Sequence, residues 1–350
     1  SRGLGDVYKR QALNGGKSVV TANKALVAAH ADELAEAADR AGVDLYFEAA
    51  VAAAIPVVGA LRRSLAGDQI QRISGIVNGT TNFILDAMES TGASYEDALA
   101  EATRLGYAEA DPTADVEGHD AASKAAILAS LGFYTRLTFD DVYCEGISKV
   151  TAADIKAANE AGYSIKLLAI CERLVDEETG AESVNARVHP TLVPKDHPLA
   201  TVSESYNAIF VEAEAAGSLM FYGNGAGGNP TASAVLGDVV GAARNIVHGG
   251  RAPGENTYAN LPIAEFGEVE TRYHVDMEVE DRTGVLSAIS GVFARHDVSL
   301  RTVRQEDGET SARLIVVTHA AKEAVLDDIV AALGELDEVK AVHSVIRLGV

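Results

Sequence analysis

The stretch Lys17–Phe47, KSVVTANKALVAAHADELAEAADRAGVDLYF, decides the fold class. Lys17–Thr21 reads as a short buried strand, Ala25–Ala41 as an alanine-rich helix stopped by Gly42, and Val43–Phe47 as a second strand. Strand, helix and strand with short joins make a parallel α/β unit, because parallel strands need a crossover between them. The first strand ends in Thr-Ala-Asn-Lys, so polar groups stand at the C-terminal edge where open α/β sheets take ligands. The same residues also suit a plain strand-to-helix turn with Asn23 as the cap.

Outward from this unit the period changes twice. Pro56 stands near the start of a helical run, Gln69–Val77 alternates as a strand, and Thr80–Glu89, Tyr95–Leu105 and Ala121–Leu131 read as helices. Between Tyr163 and Tyr222 four strand-like runs (Ile165–Val175, Ser183–Leu192, Ala208–Ala213 and Leu219–Tyr222) follow without long helices, which predicts a partly antiparallel sheet. Ala232–Val247 is one more helix, and Gly249–Pro262, rich in Gly, Pro and Asn, is the main linker. The remainder alternates as βαββαβ, a ferredoxin-like arrangement expected to form a separable domain. The first eleven residues, SRGLGDVYKRQ, carry three basic residues in an acidic chain and show neither helix nor strand period, so they are expected to be foreign or disordered sequence.

Composition narrows the function. The chain has 350 residues, 47% hydrophobic and 23% charged, which fits two or three globular domains. A formal charge of −22 argues against a nucleic-acid partner, which needs a basic face. No apolar run reaches the roughly 18–20 residues of a membrane span, and no signal peptide is recognisable. Two cysteines, Cys144 and Cys171, suit a reducing cytoplasm. An acidic cytoplasmic protein that binds small molecules is the expectation.

The densest polar constellation is Gly106–Lys124, GYAEADPTADVEGHDAASK. Glu109, Asp111, Asp115, Glu117 and Asp120 crowd five carboxylates into twelve positions. Asp120 and Lys124, four apart at a helix start, share one helix face. Carboxylates gathered near one ammonium suit a ligand with its own amino group and a lysine placed to donate a proton. A solvated acidic loop with an ordinary i,i+4 pair is the plainer reading of the same residues. Gly223, Gly225 and Gly228 match G-x-G-x-x-G between a strand and a helix, but no second parallel strand follows, so a helix N-terminus approached by a ligand is the sober reading. Asn78–Asn82, NGTTN, reads in isolation as a hairpin or helix-capping turn. Nine histidines and two cysteines show no zinc-ligand spacing, and no nucleophile elbow is present.

Taken in order, VVTANKAL, FEAAV…IP, NGTTNFIL, GYAEADPTADVEGHDAASKAAILA and GNGAGGNPTASAVLGD resemble homoserine dehydrogenase, in its longer bacterial form with a C-terminal ACT domain. The resemblance covers nearly everything after Gly15. It implies an α/β fold made of a remnant of a Rossmann dinucleotide-binding domain, an α+β catalytic and dimerisation domain with a mixed sheet, and a ferredoxin-like ACT domain. The boundaries it suggests are 1–14 non-native or disordered, 15–50 cofactor-binding remnant, 51–228 catalytic, 229–248 returning helix, 249–270 linker and 271–350 ACT.

The activity implied is NADP- or NAD-dependent interconversion of L-aspartate 4-semialdehyde and L-homoserine, on the route to threonine, methionine and isoleucine. Lys124 matches the family's proton donor and Asp120 a substrate-contacting carboxylate. Glu109 matches the residue binding the substrate's amino group, with Asp115 behind it. Lys24, Gly106, Gly225 and Gly227 match cofactor contacts, Lys24 also lying beside the reacting carbon. A sodium site resembles Glu48, Val51, Ala53 and Ile55, mostly through backbone carbonyls. Ala53 and Ala54 stand where glycine is frequent, which the turn tolerates only if φ stays negative.

An N-terminal strand, glycine fingerprint and roughly three βα units, on the order of 80–100 residues, are expected before KSVVT and are not recognised in the chain. Weak activity of the 350-residue chain is therefore expected. The ACT domain implies an amino-acid effector, with threonine the expectation, and a homo-oligomer, with a dimer the expectation. A plain dimerisation module, a non-catalytic amino-acid sensor and a different ACT-bearing oxidoreductase are the alternatives. The last needs a catalytic His–Glu arrangement that the Glu109–Lys124 segment does not supply.

Overall fold

The computed structural model describes residues 2–176, 178–254, 258–307 and 311–349. Its opening unit runs α1 (Arg2–Asn14), β1 (Val19–Val20), α2 (Lys24–Ala41) and β2 (Leu45–Tyr46). β1 and β2 pair in parallel, with Val19 opposite Leu45. Asn23 caps α2 by accepting the Leu26 amide at 3.1 Å, and Gly42 ends it at φ 68°. The N-terminal segment departs from expectation. Residues 2–14 are helical, not irregular, and Leu13 is fully buried in the same core as α2. A glycine-containing stretch with no clear period is a poor helix alone, and packing against α2 supplies what propensity does not.

The middle region follows as α3 (Val57–Gly59), β3 (Ile70–Ile76), α4 (Gly79–Thr91), α5 (Tyr95–Leu105), α6 (Thr113–Val116), α7 (His119–Phe133), β4 (Val142–Cys144) and α8 (Ala152–Glu160). Four strands complete its sheet: β5 (Tyr163–Val175), β6 (Glu182–Pro194), β7 (Tyr206–Ala213) and β8 (Gly217–Asn224). α9 (Gly228–His248) then runs back to the opening unit, where its Asp238 accepts the Glu48 amide at 2.9 Å. The helix expected after Pro56 is broken, α3 passing into a wider turn at Ala60–Ser64. In the sheet β6, β5, β3, β7 and β8 are neighbours in that order, antiparallel at every join, as the change of period predicts.

α7 is the central helix and is apolar nearly all round, so it is buried on every side. Its small residues let it lie close to β3. A Cβ at Gly132 would stand 2.7 Å from Ile73 Cδ1, so an alanine there would make the Ile73 side chain shift.

The C-terminal region comprises β9 (Glu270–Val279), α10 (Val285–Arg295), β10 (Leu300–Asp307), β11 (Ala312–Thr318), β12 (Ala321–Lys322), α11 (Glu323–Gly334) and β13 (Val339–Leu348). The strands run β10-β11-β9-β13, the ferredoxin-like order, over a core that includes Tyr273, Met277, Ile289, Phe293 and Leu326. This region has a hydrophobic core of its own, yet it is joined to the middle one. β13 pairs in parallel with β6, Arg347 opposite Thr191 and Leu348 opposite Leu192, so both regions share one continuous sheet. The pairing covers edges that would otherwise expose unpaired backbone groups. The 249–270 linker is likewise pinned: Arg251 donates to Val43 O at 2.9 Å, Leu261 N to Thr135 Oγ1 at 3.0 Å, and Val184 N to Pro262 O at 2.9 Å.

Candidate active site

Three segments meet at the N-terminus of α7: the end of β3, the edge of β1, and the carboxylate-rich loop. Gly118, at φ 82°, turns the loop into α7, placing Asp120 in the first turn and Lys124 one turn later. The two bond at 2.7 Å, as their spacing predicts, and both side chains are buried. Lys124 Nζ also donates to Val77 O at 2.5 Å, which fixes the ammonium against the end of β3. Lys24 reaches Asp120 from the start of α2, so one carboxylate joins two ammonium groups carried by different parts of the chain. Lys24 is about half exposed, while Lys124 is not.

Asn78 ties the site together. As the cap of α4 it accepts the Thr81 amide at 2.9 Å through Oδ1. That leaves its NH₂ group free, and Nδ2 donates to Asp115 at 2.7 Å and Asp120 at 2.9 Å. Of the two readings of NGTTN, hairpin or cap, the cap is the one that forms, and it leaves half of the asparagine unexplained. The available signal is that a cap uses only the acceptor end of an asparagine, leaving two donors to be satisfied when the residue is buried.

Burial pushes the Asp120 carboxyl up, but the ammonium groups of Lys124 and Lys24 outweigh it and hold the acid well below the usual carboxylate range. A lowered carboxylate adds stability that is complete above its unfolded value, about pH 4, and lost as pH falls through the lowered one. Acid unfolding followed by circular dichroism between pH 6 and 2 should therefore show a shallower acid limb for Asp120→Asn than for the native chain. Equal limbs would mean that the ion pairs do not form.

The other expected site residues are less convergent. Glu109 lies exposed on the turn after α5, without a partner among the described contacts, while Thr80 Oγ1 holds that turn through Tyr107 O at 2.7 Å. Gly106 is the left-handed cap of α5 at φ 81°. Gly225 has a packing reason of its own, since a Cβ there would stand 1.9 Å from Asn207 Nδ2. The Asn207 amide is fully buried and makes no hydrogen bond. Gly227, at φ 115°, caps α9, and a Cβ at Gly228 would meet nothing within 4 Å, so this helix N-terminus is open to an approaching group. β8 is antiparallel to β7, so the glycine turn belongs to a mixed sheet and not to a βαβ fingerprint.

The Glu48–Ile55 turn answers the question raised by its alanines. Ala52 and Ala53 do adopt left-handed φ, at 51° and 39°, in a buried segment. Such geometry costs a non-glycine residue roughly 1–2 kcal/mol and persists only where the surroundings hold it. Both Glu48 oxygens accept α3 amides, from Val58 at 2.9 Å and Gly59 at 2.8 Å, so any cation here would rest on carbonyls. Among the described residues no group of three His, Cys, Asp or Glu is placed to hold a metal. Burial pushes the thiols of Cys144 and Cys171 up to about 11 and about 12, so neither is a nucleophile at neutral pH.

Family models match in three places: "Homoserine dehydrogenase, NAD binding domain" at residues 6–48, "Homoserine dehydrogenase" at 56–240, and "ACT domain" at 273–338. Homoserine dehydrogenase of Corynebacterium glutamicum is 73% identical over 337 residues, covering 96% of this chain and 76% of that protein. The crystal structure of a homoserine dehydrogenase from Thiobacillus denitrificans superposes with a TM-score of 0.90 at 40% identity, over 97% of this chain and 78% of that one. A hyperthermophilic archaeal homoserine dehydrogenase in complex with NADPH superposes at 0.59 and 33% identity, over 69% of this chain and 68% of that one. Among the described residues no helix is long and apolar enough to cross a membrane.

Proposed function

The chain belongs to the homoserine dehydrogenase family, with NAD-binding, catalytic and ACT domains, and we propose that its Asp120–Lys124–Lys24 cluster interconverts L-aspartate 4-semialdehyde and L-homoserine. The observation that carries this reading is the single buried carboxylate joined to two lysines at the edge of β1. Lys124 is the general acid. In the reducing direction its Nζ gives a proton to the oxygen of the developing alkoxide, and in reverse it takes the hydroxyl proton. Asp120 and Val77 O hold that ammonium in place, and Asn78 orients Asp120 and Asp115 together. Asp120, Asp115 and the exposed Glu109 receive the substrate's α-ammonium. Lys24 stands beside the reacting carbon and stabilises negative charge forming on its oxygen.

The residues present fit the nicotinamide end of NADPH or NADH. Lys24 closes the β1 edge, Gly106 ends α5 where a loop backbone is free, and Gly225 and Gly227 open the N-terminus of α9. The cofactor, when bound, would supply or accept a hydride, two electrons with one proton, at the substrate's carbonyl carbon. Calorimetric titration of the 350-residue chain with L-homoserine tests the substrate assignment. Glu109→Gln and Asp120→Asn should each weaken binding by about tenfold, the loss of one charge-assisted contact. Unchanged affinity in both variants would remove the assignment.

The finer readings have separate supports. Feedback by threonine, in a chain serving threonine, methionine and isoleucine synthesis, is supported by the ACT match and by the shared sheet that joins it to the catalytic region. A homodimer is supported by apolar side chains left exposed on β8 and α9, including Tyr222, Leu236, Val240 and Val247. A sodium site on the carbonyls of Glu48, Val51, Ala53 and Ile55 is supported by the burial of that turn, while the left-handed φ of Ala53 counts against it. The cysteines, both free thiols, fit the cytoplasm. Feeble turnover by the isolated 350-residue polypeptide is supported by its two-stranded parallel sheet.

A further inference from the structure

Arg347 is carried by the last strand of the ACT domain and pairs with a carboxylate on each side of the domain joint. Its Nε lies 3.0 Å from each oxygen of the fully buried Glu323, and its Nη1 donates to Glu145 at 2.6 Å. The guanidinium also lies 5.1 Å from the centre of the Phe266 ring and 5.5 Å from those of Tyr143 and Tyr273. Tyr143 and Phe266 stack on each other at 3.7 Å, and the Tyr143 hydroxyl donates to Glu145 at 3.2 Å. A buried guanidinium satisfied by carboxylates from two domains is a rigid joint, because removing either partner strands a buried charge.

Glu145 sits at the end of β4, and the residues beside it touch the active-site loop directly. Cys144 Sγ donates to Glu117 O at 3.2 Å, and Ile147 N to Val116 O at 2.8 Å. At Gly146 a Cβ would stand 2.2 Å from Val116 O, and at Gly118 one would stand 3.0 Å from Cys144 Sγ. The two backbones therefore pass in contact, with no side chain between them. Gly118 is the residue that launches α7, two positions before Asp120.

We infer that the Arg347–Glu145 pair is a positioning device for the active site: it presses Cys144–Ile147 against Val116–Gly118 and so sets where α7 presents Asp120. This rests on the reading of Asp120 as part of the substrate site. It also gives the ACT domain a contiguous route to that site, through α11, which carries Glu323, and β13, which carries Arg347.

Hydrogen exchange of the full 350-residue chain tests the device without requiring turnover. Glu145→Gln keeps the shape and leaves Arg347 paired with Glu323. It should speed amide exchange across 115–120 and at Ile147 by about tenfold, weaken L-homoserine binding to a similar extent, and leave the strands β9 to β11 unchanged. Arg347→Lys should give an intermediate effect. Gly146→Ala, which forces the segments apart without touching the ACT domain, should reproduce the change in the loop, and it keeps the test open should Glu145→Gln fold poorly. Faster exchange confined to the domain joint, with 115–120 as protected as in the native chain, would reduce the pair to a tether and overturn the inference. So would loosening of the loop while L-homoserine still binds with native affinity, provided Asp120→Asn weakens that binding. If Asp120→Asn leaves binding intact, the substrate reading falls, and the exchange data alone decide the coupling.

Discussion

Lys124→Ala is expected to lower kcat by about 10²–10⁴-fold while leaving cofactor affinity nearly intact. The effect is large because the ammonium has no substitute. Among the described residues Lys24 pairs with Asp120 and is half exposed, whereas Lys124 is buried and held by Val77 O as well. A proton donor acts on the alkoxide that forms in the transition state, so its loss falls on kcat more than on KM. The measurement is steady-state oxidation of L-homoserine by a chimera, in which the N-terminal segment of the Corynebacterium glutamicum relative leads into this chain at Lys17. Retention of most of kcat would move the acid elsewhere in the cluster.

The second large effect concerns the cofactor. The 350-residue polypeptide by itself is expected to bind NADPH about 10³-fold more weakly than that chimera, by loss of several charge-assisted phosphate contacts. Dinucleotides rest their pyrophosphate on a glycine-rich turn and the helix N-terminus that follows it. Among the described residues the parallel sheet at the start of the chain consists of β1 and β2, each of two residues, and the turn into α2 is Thr-Ala-Asn-Lys. What it offers is a lysine and the open end of α9, both suited to the nicotinamide end. The short sheet also has exposed edges, so the polypeptide should aggregate more readily than the chimera. Calorimetry of both with NADPH decides the matter. Micromolar binding to the shorter polypeptide would show that the phosphates are held somewhere other than a preceding fingerprint.

Part of the architecture could be read without coordinates because local chemistry and tertiary role coincide there. α5 was legible to the residue, since Ser94 caps it and Gly106 ends it in the left-handed region. The long strands β5 and β6 and six of the seven ACT-domain elements, all but β12, were legible through their alternation, and Asp120–Lys124 through helical spacing. In each case the deciding information lies within about four residues. α1 and β4 were not legible. α1 is helical because Leu13 is buried in the core it shares with α2, and β4 is a three-residue strand that exists because β6 offers it an edge.

The site divides along the same line. Sequence alone determined which loop carries the carboxylates, that Lys124 faces Asp120, and which family this pattern resembles. Only the tertiary structure decided that Lys24, nearly a hundred positions away, shares that carboxylate, that Asn78 serves two acids while capping a helix, and that the ACT domain is joined to the catalytic sheet through β13 and Arg347. The reason is physical. A helix face or strand alternation is set by bonds along the chain, whereas a buried charge takes whatever partner the packing brings within about 3 Å, at any separation in sequence.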